Sequence, residues 1–173
     1  MRAWTHVGRI SPPADSRIAD WYEGADLIDS YVVQLPPLLT LDMVSLAHIA
    51  FGARPLWIEL LMQLRDAIMK PLGVKTREEL QSISDAPQRI AFFSLVSEHP
   101  DEIILGADDK YLDFRLSLLR TVEGSENLLT ATSVVHVRNR LGTLYISVIR
   151  PFHKVIVRAS LARLARPVIS DPC

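Results

Sequence analysis

The chain has 173 residues, of which 49% are hydrophobic and 23% charged, and its formal net charge is −1. Its one cysteine, Cys173, excludes an internal disulfide framework and fits a reducing compartment. The longest apolar-looking stretch, residues 141–157, contains two cations and a histidine, and no apolar segment near the start resembles a secretion signal. We therefore expect a cytoplasmic protein of one domain, residues 1–173, with residues 1–14 and 167–173 as a peripheral arm and tail.

The first fifty residues predict two strands and two helices. Short runs rich in β-branched and aromatic residues that end at prolines are typical of strands, and polar capping residues precede the helical segments. In chain order we predict a strand at Thr5–Ile10, a helix at Asp15–Glu23, a strand at Ser30–Leu35 and a helix at Leu41–Phe51 with Thr40 as its cap.

Further helices are predicted after a break at residues 52–54. Pro55 suits the first turn of a helix, where its missing N–H is not needed. A stripe at four-residue spacing follows it, made of Leu56, Leu60, Leu64 and Ile68. A capping box that begins at Thr76 predicts a short helix at Arg77–Ser82. The helices near Leu41 and Pro55 are thus inserted after an early strand.

Four β-type runs separated only by tight turn signals come next. They are Arg89–Ser97, Glu102–Ala107, Tyr111–Val122 and Asn127–Val137. Short connections force neighbouring strands to run antiparallel, so these runs predict a meander and bring the expected strand count to five or six.

The third of these runs alternates strictly between apolar and polar residues. One side carries Leu112, Phe114, Leu116 and Leu118, and the other carries Tyr111, Asp113, Arg115 and Ser117. Alternation with a period of two predicts a sheet with one covered face and one face in water.

Residues 141–165 predict one long amphipathic helix that covers the apolar face of the sheet. Pro151 costs a helix interior about 3 kcal/mol, but each large apolar side chain that is buried contributes about 1.5–3 kcal/mol. Packing should therefore win, with a bend near Arg150. The predicted buried stripe is Leu141, Tyr145, Val148, Phe152, Val155, Ala159 and Ala162. The expected fold class is α+β, an antiparallel meander wrapped around a long, kinked C-terminal helix.

Charge is distributed unevenly along the chain. Residues 1–126 carry 12 lysines and arginines against 19 aspartates and glutamates, whereas residues 127–173 carry 7 against 1. Arg150, Lys154 and Arg158 recur every four residues on the predicted helix. This basic face can lie near acidic surface of the same fold or in water; alternatively it contacts a partner or an anionic membrane surface. We expect no nucleic acid as a partner, and the oligomeric state stays open.

Three segments resemble a known family. They are LDFRLS at Leu112–Ser117, RPFHKVIVR at Arg150–Arg158 and ARPLWIELLMQLRDAIMKPLG at Ala53–Gly73. They look like an uncharacterised bacterial family, domain of unknown function 2867, and the resemblance runs from about Pro12 to Arg166.

The order strand, two helices, sheet and long helix is also similar to the START or Bet v 1-like helix-grip superfamily. That resemblance implies seven strands and binding of lipids, sterols, polyketides or other apolar ligands, with cyclases and hydrolases among its members. Fold likeness alone does not establish a function.

No catalytic or metal signature stands out. The seven glycines are too dispersed for a phosphate-cradling loop, the five histidines lack HExxH spacing, and no GxSxG elbow is present. We therefore expect no cofactor and no metal, and we favour a binding protein over an enzyme.

Four polar side chains are the catalytic candidates: Asp113, Arg115, His136 and His153. If the polar face of the third run lines a cavity, Arg115 can anchor a carboxylate or phosphate group. Histidine is the commonest general acid or base, provided that it lies within hydrogen-bond reach of its partner. The alternative is structural: charge pairs across strands for Asp113 and Arg115, and satisfied core or boundary positions for the two histidines.

The candidate ligand-binding residues are large apolar or aromatic side chains on the helices and the third run. They are Trp57, Leu61, Phe114, Leu116, Tyr145 and Phe152. The alternative for each is an ordinary place in the core. Our leading hypothesis is non-catalytic binding of a small apolar or amphipathic ligand in a cavity between the sheet and the C-terminal helix. The alternatives are a small cyclase- or hydrolase-like enzyme that uses the same cavity, and a module that contacts a partner or a membrane surface through the basic helix.

Overall fold

The computed structural model of the chain describes residues 7–37, 39–52, 89–90, 93–108 and 110–165. These residues contain one antiparallel sheet and a long C-terminal helix, which confirms the predicted α+β class.

The described residues form seven strands in a single sheet. In chain order they are β1 (Gly8–Ile10), β2 (Leu27–Gln34), β3 (Arg89–Ile90), β4 (Phe93–Glu98), β5 (Glu102–Asp108), β6 (Leu112–Glu123) and β7 (Glu126–Val137). The order across the sheet is β1-β2-β7-β6-β5-β4-β3, and all neighbours are antiparallel. Because β4 to β7 are successive neighbours, the predicted meander is confirmed.

The turn between β6 and β7 shows how the sequence fixes the register. Glu123 pairs with Glu126, which leaves two residues for the connection. The first of them, Gly124, has a φ of 62°, in the left-handed region that favours glycine.

Two predictions about the strands were wrong. The expected count of five or six is too low, since seven strands occur among the described residues alone. The run Arg89–Ser97 is also not one strand, because β3 folds back on β4 and Ile90 pairs with Phe93. A continuous apolar run does not reveal where the chain reverses when both halves lie in the same core.

The two predicted helices that lie within the described residues are shorter than expected. The segment Leu41–Phe51 contains α1 (Met43–Ala47), followed by a π-helical turn at His48–Gly52. Asp42 is the cap, since its Oδ1 accepts a hydrogen bond from the Ser45 N–H at 2.7 Å, and the prediction of Thr40 was wrong. The helix expected at Asp15–Glu23 is only a 3₁₀ turn at Ala19–Trp21, because the residues before it are bonded to the sheet.

The helices predicted from Pro55 onward and at Arg77–Ser82 lie outside the described residues. So do Thr5 and His6 of the predicted strand Thr5–Ile10 and the tail at 167–173.

The C-terminal helix α2 (Arg140–Ala165) runs through Pro151 without interruption. It packs against β2, β7 and the π-helical turn. Its buried residues are Gly142, Val157, Ser160, Leu161 and Leu164.

The predicted buried stripe of α2 was wrong. Leu141, Phe152 and Val155 are 36%, 37% and 55% exposed and the other four members are half-buried, so no residue of that stripe is fully buried. Gly142 gives the physical reason, because a Cβ there would collide with the carbonyl oxygen of Tyr111. The helix contacts the end of the sheet through this small residue. The large apolar residues of the stripe consequently point away from the sheet.

We call the side of the sheet that packs with α2 the inner face and the opposite side the outer face. On the inner face, residues of β2, β5, β6 and β7 form the main core with α1 and α2. Its fully buried members include Val33, Leu46, Ile103, Leu105, Leu118, Leu129 and Leu161. The outer face carries a smaller cluster around Ile18, Ile104 and Val134.

The outer face of β6 is not the wet face that the alternation predicted. Residues 12–26 cross it, and Ser117 is 0% exposed as a result. Both faces of the sheet are therefore covered at this point, and each face holds buried polar groups.

Candidate functional site

A buried carboxylate attaches the N-terminal segment to the outer face. Glu102 on β5 is 1% exposed and accepts hydrogen bonds from Ser16 Oγ at 2.6 Å, Ser117 Oγ at 2.5 Å and Arg17 N at 2.9 Å. The Arg17 guanidinium lies 3.7 Å away and balances the charge. Both carboxylate oxygens are thus satisfied, and the group has a structural role.

Arg115 lies on the same outer face and is also fully engaged. Its guanidinium makes two contacts with the carboxylate of Asp108. The Trp21 ring lies 4.3 Å from its central carbon, in a cation–π contact. This arginine therefore holds the 3₁₀ turn against the sheet instead of presenting a free cation.

Asp113 and His136 are paired in register on β6 and β7, yet they bond different partners. Asp113 binds Arg138 through two hydrogen bonds of 2.7 and 2.8 Å. The His136 Nε2 atom lies 2.8 Å from the Trp21 carbonyl oxygen. The structure thus brings three of the four catalytic candidates to the outer face, where each makes a structural contact.

His153, the fourth candidate, lies on α2 and faces the inner side of the sheet. Its ring meets Phe114 edge to face, with ring centroids 6.4 Å apart, and Phe114 stacks on Phe93 at 5.2 Å. His153 is therefore separated from the other three candidates by the sheet itself.

Two further polar residues lie on the inner face of the sheet. Asp29 on β2 and Ser133 on β7 are directly opposite each other in the antiparallel ladder, so their side chains project from the same face as neighbours. Each residue is only 1% exposed. Phe114 and Leu116 of β6 pair with Val135 and Ser133, which places the aromatic pair beside these polar groups.

Each of these three residues has a buried atom without a hydrogen-bond partner in the described part of the chain. The atoms are Asp29 Oδ2, Ser133 Oγ and His153 Nε2. The other carboxylate oxygen of Asp29 accepts a hydrogen bond from Arg9 at 3.1 Å. We call Asp29, Ser133 and His153 the polar cluster.

Electrostatics of the polar cluster follow from its burial. Loss of water lowers the pKa of His153 below its ordinary value, and the negative charge of Asp29 offsets this only in part. The pKa of Tyr31, which neighbours Asp29 on β2, is raised by burial and by that same carboxylate. The His153 ring is consequently neutral at neutral pH.

The candidate ligand-binding residues divide between two environments. Phe114 and Leu116 lie on the inner face, whereas Phe152 is 37% exposed on the far side of α2 and Tyr145 is half-buried. Trp57 and Leu61 lie outside the described residues.

Sequence reasoning missed Asp29 and Ser133. The predicted strand began at Ser30, one residue after the carboxylate. A signal was nevertheless present, because Asp29 has the same parity as Tyr31 and Val33 and therefore falls on their buried face. An acid in such a position requires a partner.

The described part of the chain contains no group of three or more histidine, cysteine or acidic side chains arranged to hold a metal ion. In the same part, none of the helices has the length and apolar character needed to cross a bilayer.

Comparison with known protein families gives a match. A family model described as Protein of unknown function (DUF2867) covers residues 21–160, a range that includes β2 to β7 and most of α2. No curated protein and no solved structure gives a significant match to the chain.

Proposed function

We propose that this chain, which belongs to the family described as Protein of unknown function (DUF2867), binds a small amphipathic ligand between the inner face of the sheet and α2. The proposal includes a helix-grip arrangement of the START kind, in which a ligand lies between the sheet and the long helix. The antiparallel sheet and the position of α2 are compatible with it.

The observation that carries the proposal is the polar cluster. A buried polar atom without a partner destabilises a protein by about 1–3 kcal/mol, and here three such atoms come from β2, β7 and α2. All three residues lie on the inner side of the sheet, where the His153 ring meets the stacked rings of Phe93 and Phe114. Apolar walls with a few convergent polar groups are typical of small-molecule sites.

The arrangement favours binding over catalysis. The unpartnered atoms of Asp29, Ser133 and His153 are not bonded to one another, so they do not form the hydrogen-bonded nucleophile and base that acyl transfer needs. Asp113, Arg115 and His136 are engaged on the other side of the sheet.

Titration with Nile red, a neutral apolar dye, tests the proposal. We expect saturable binding of one dye per chain with a blue-shifted emission, and native mass spectrometry of freshly purified protein should show a retained small molecule. The variant Phe114→Ala removes an aromatic wall and should weaken dye binding by about tenfold.

The matched control is Phe152→Ala, which removes the same side chain from the exposed side of α2. It should change dye affinity by less than about twofold. Circular dichroism should show that both variants are folded. Absence of saturable binding by the unaltered protein, or a larger loss in Phe152→Ala, would refute the proposal.

A further inference from the structure

We infer that the polar cluster recognises a neutral hydroxyl group at one end of an otherwise apolar ligand. This inference rests on the proposed function and specifies the class of ligand: an alcohol or phenol, not a fatty acid and not an amine.

The first argument concerns the direction of the missing hydrogen bond at Asp29. An ionised carboxylate only accepts hydrogen bonds, and Arg9 donates to one of its two oxygens. The other oxygen is buried in a side chain that is 0% exposed. Its complement must therefore be a group that donates a hydrogen, which excludes ionised carboxylate and phosphate heads because these only accept.

The second argument concerns charge. Asp29 and Arg9 form an ion pair, so the carboxylate is already balanced. An ammonium head would bring a further buried positive charge without a second anion to match it, and such a charge is costly to remove from water. A hydroxyl donates the required hydrogen without this cost.

The third argument concerns the oxygen of the incoming hydroxyl. Once it donates to Asp29, its lone pairs need donors of their own. The Ser133 hydroxyl can donate or accept, and the Nε2 atom of neutral His153 donates in one of its two tautomers. The cluster thus offers one group that can only accept a hydrogen bond and two groups that can either donate or accept one. This combination complements the hydroxyl group of an alcohol.

The surroundings determine the rest of the ligand. Leu116 on β6 pairs with Ser133 on β7, and Val135 lies two residues after Ser133 on the same strand. Leu116 and Val135 are each 2% exposed. These two side chains and the ring of Phe114 form apolar surroundings, so the part of the ligand that carries the hydroxyl group should be apolar as well.

Competition between Nile red and three ten-carbon probes tests this inference on the full chain. The probes are decanol, decanoate and decylamine, which contain ten carbons each and carry different head groups. We expect decanol to displace the dye with an affinity about tenfold higher than either charged probe.

Two variants and one control locate the effect. Ser133→Ala should weaken decanol binding by about tenfold, since it removes one of the hydroxyl's partners. Asp29→Asn can donate to a carboxylate and should reduce the preference for decanol over decanoate to about threefold or less. The control is Ser30→Ala, which is equally buried but bonds Thr132 on the outer face, and it should change decanol affinity by less than about twofold.

The outcomes separate this inference from the proposed function. If Nile red does not bind, the proposed function itself is wrong. If Nile red binds but the three probes compete equally, or a charged probe competes best, ligand binding stands and hydroxyl recognition is wrong. Equal competition is also the result expected if water alone satisfies the cluster. Should Asp29→Asn fail to fold, the comparison of Ser133→Ala with Ser30→Ala decides the matter.

Discussion

The two faces of the sheet each bury a carboxylate, and the two carboxylates differ in the number of hydrogen bonds that they accept. On the outer face, Glu102 accepts three hydrogen bonds and lies near the Arg17 guanidinium. On the inner face, Asp29 is equally buried but bonds only Arg9, and its second oxygen has no partner in the described part of the chain. Equal burial therefore hides a difference between the two acids, and under the proposed function the unsatisfied oxygen of Asp29 is the one that a ligand would occupy.

The largest effect should come from the carboxylates themselves. Glu102→Ala leaves the Arg17 N–H and the hydroxyls of Ser16 and Ser117 without their acceptor and should lower the free energy of unfolding by about 3–5 kcal/mol. Asp29→Ala removes one hydrogen bond and a carboxylate oxygen that has no partner, so we expect less than half that loss. Urea unfolding measures both losses. The control is Glu98→Ala on the exposed surface, which should change the free energy of unfolding by less than about 0.5 kcal/mol. An equal or larger loss in Asp29→Ala would remove the distinction between the faces.

Two serines provide the same comparison on a smaller scale. Ser117 and Ser133 are 0% and 1% exposed, but only Ser117 donates to a carboxylate, that of Glu102. Ser117→Ala should therefore destabilise the protein by about 1–3 kcal/mol. Ser133→Ala removes an unpaired hydroxyl and should be neutral or slightly stabilising in ligand-free protein. Thermal unfolding of the two variants measures the difference. A larger loss of stability in Ser133→Ala than in Ser117→Ala would contradict this comparison.

The smallest effect concerns pH. The pKa of His153 is lowered in the folded protein, so below the ordinary value of 6.5 the unfolded chain binds the additional proton. The stability that neutral His153 allows is present above pH 6.5 and is lost as the pH falls through that value. The free energy of unfolding should differ less between about pH 7.5 and about pH 5.5 in His153→Gln than in the unaltered protein. His48→Gln, at an exposed position, should keep the original difference.

Much of the fold was predictable because local signals agree with tertiary packing. The alternation of β6 and the turn at Gly124 fixed the meander and its register. The face of α2 was not predictable from apolarity, since apolar residues occur on both sides of that helix. The decisive feature is Gly142, a residue that an apolar stripe ignores.

The candidate site was predictable only in part. Phe114, Leu116 and His153 were identified and lie together on the inner side. Asp113, Arg115 and His136 were chosen because charged groups and histidines suggest chemistry, but the sequence does not show that residues 12–26 return to engage that face. Asp29 was missed because a single acid at a strand end resembles a turn residue.

Pro151 has a consequence for how a ligand would reach the inner face under the proposed function. Proline has no N–H, so the helix lacks one of its internal hydrogen bonds at this point. The half after it is anchored by Leu161 and Leu164, and the half before it contacts the sheet end at Gly142. The missing bond marks the place where α2 bends most easily. Under the proposed function, bending there would admit a ligand while the hydrogen-bonded strands stay intact.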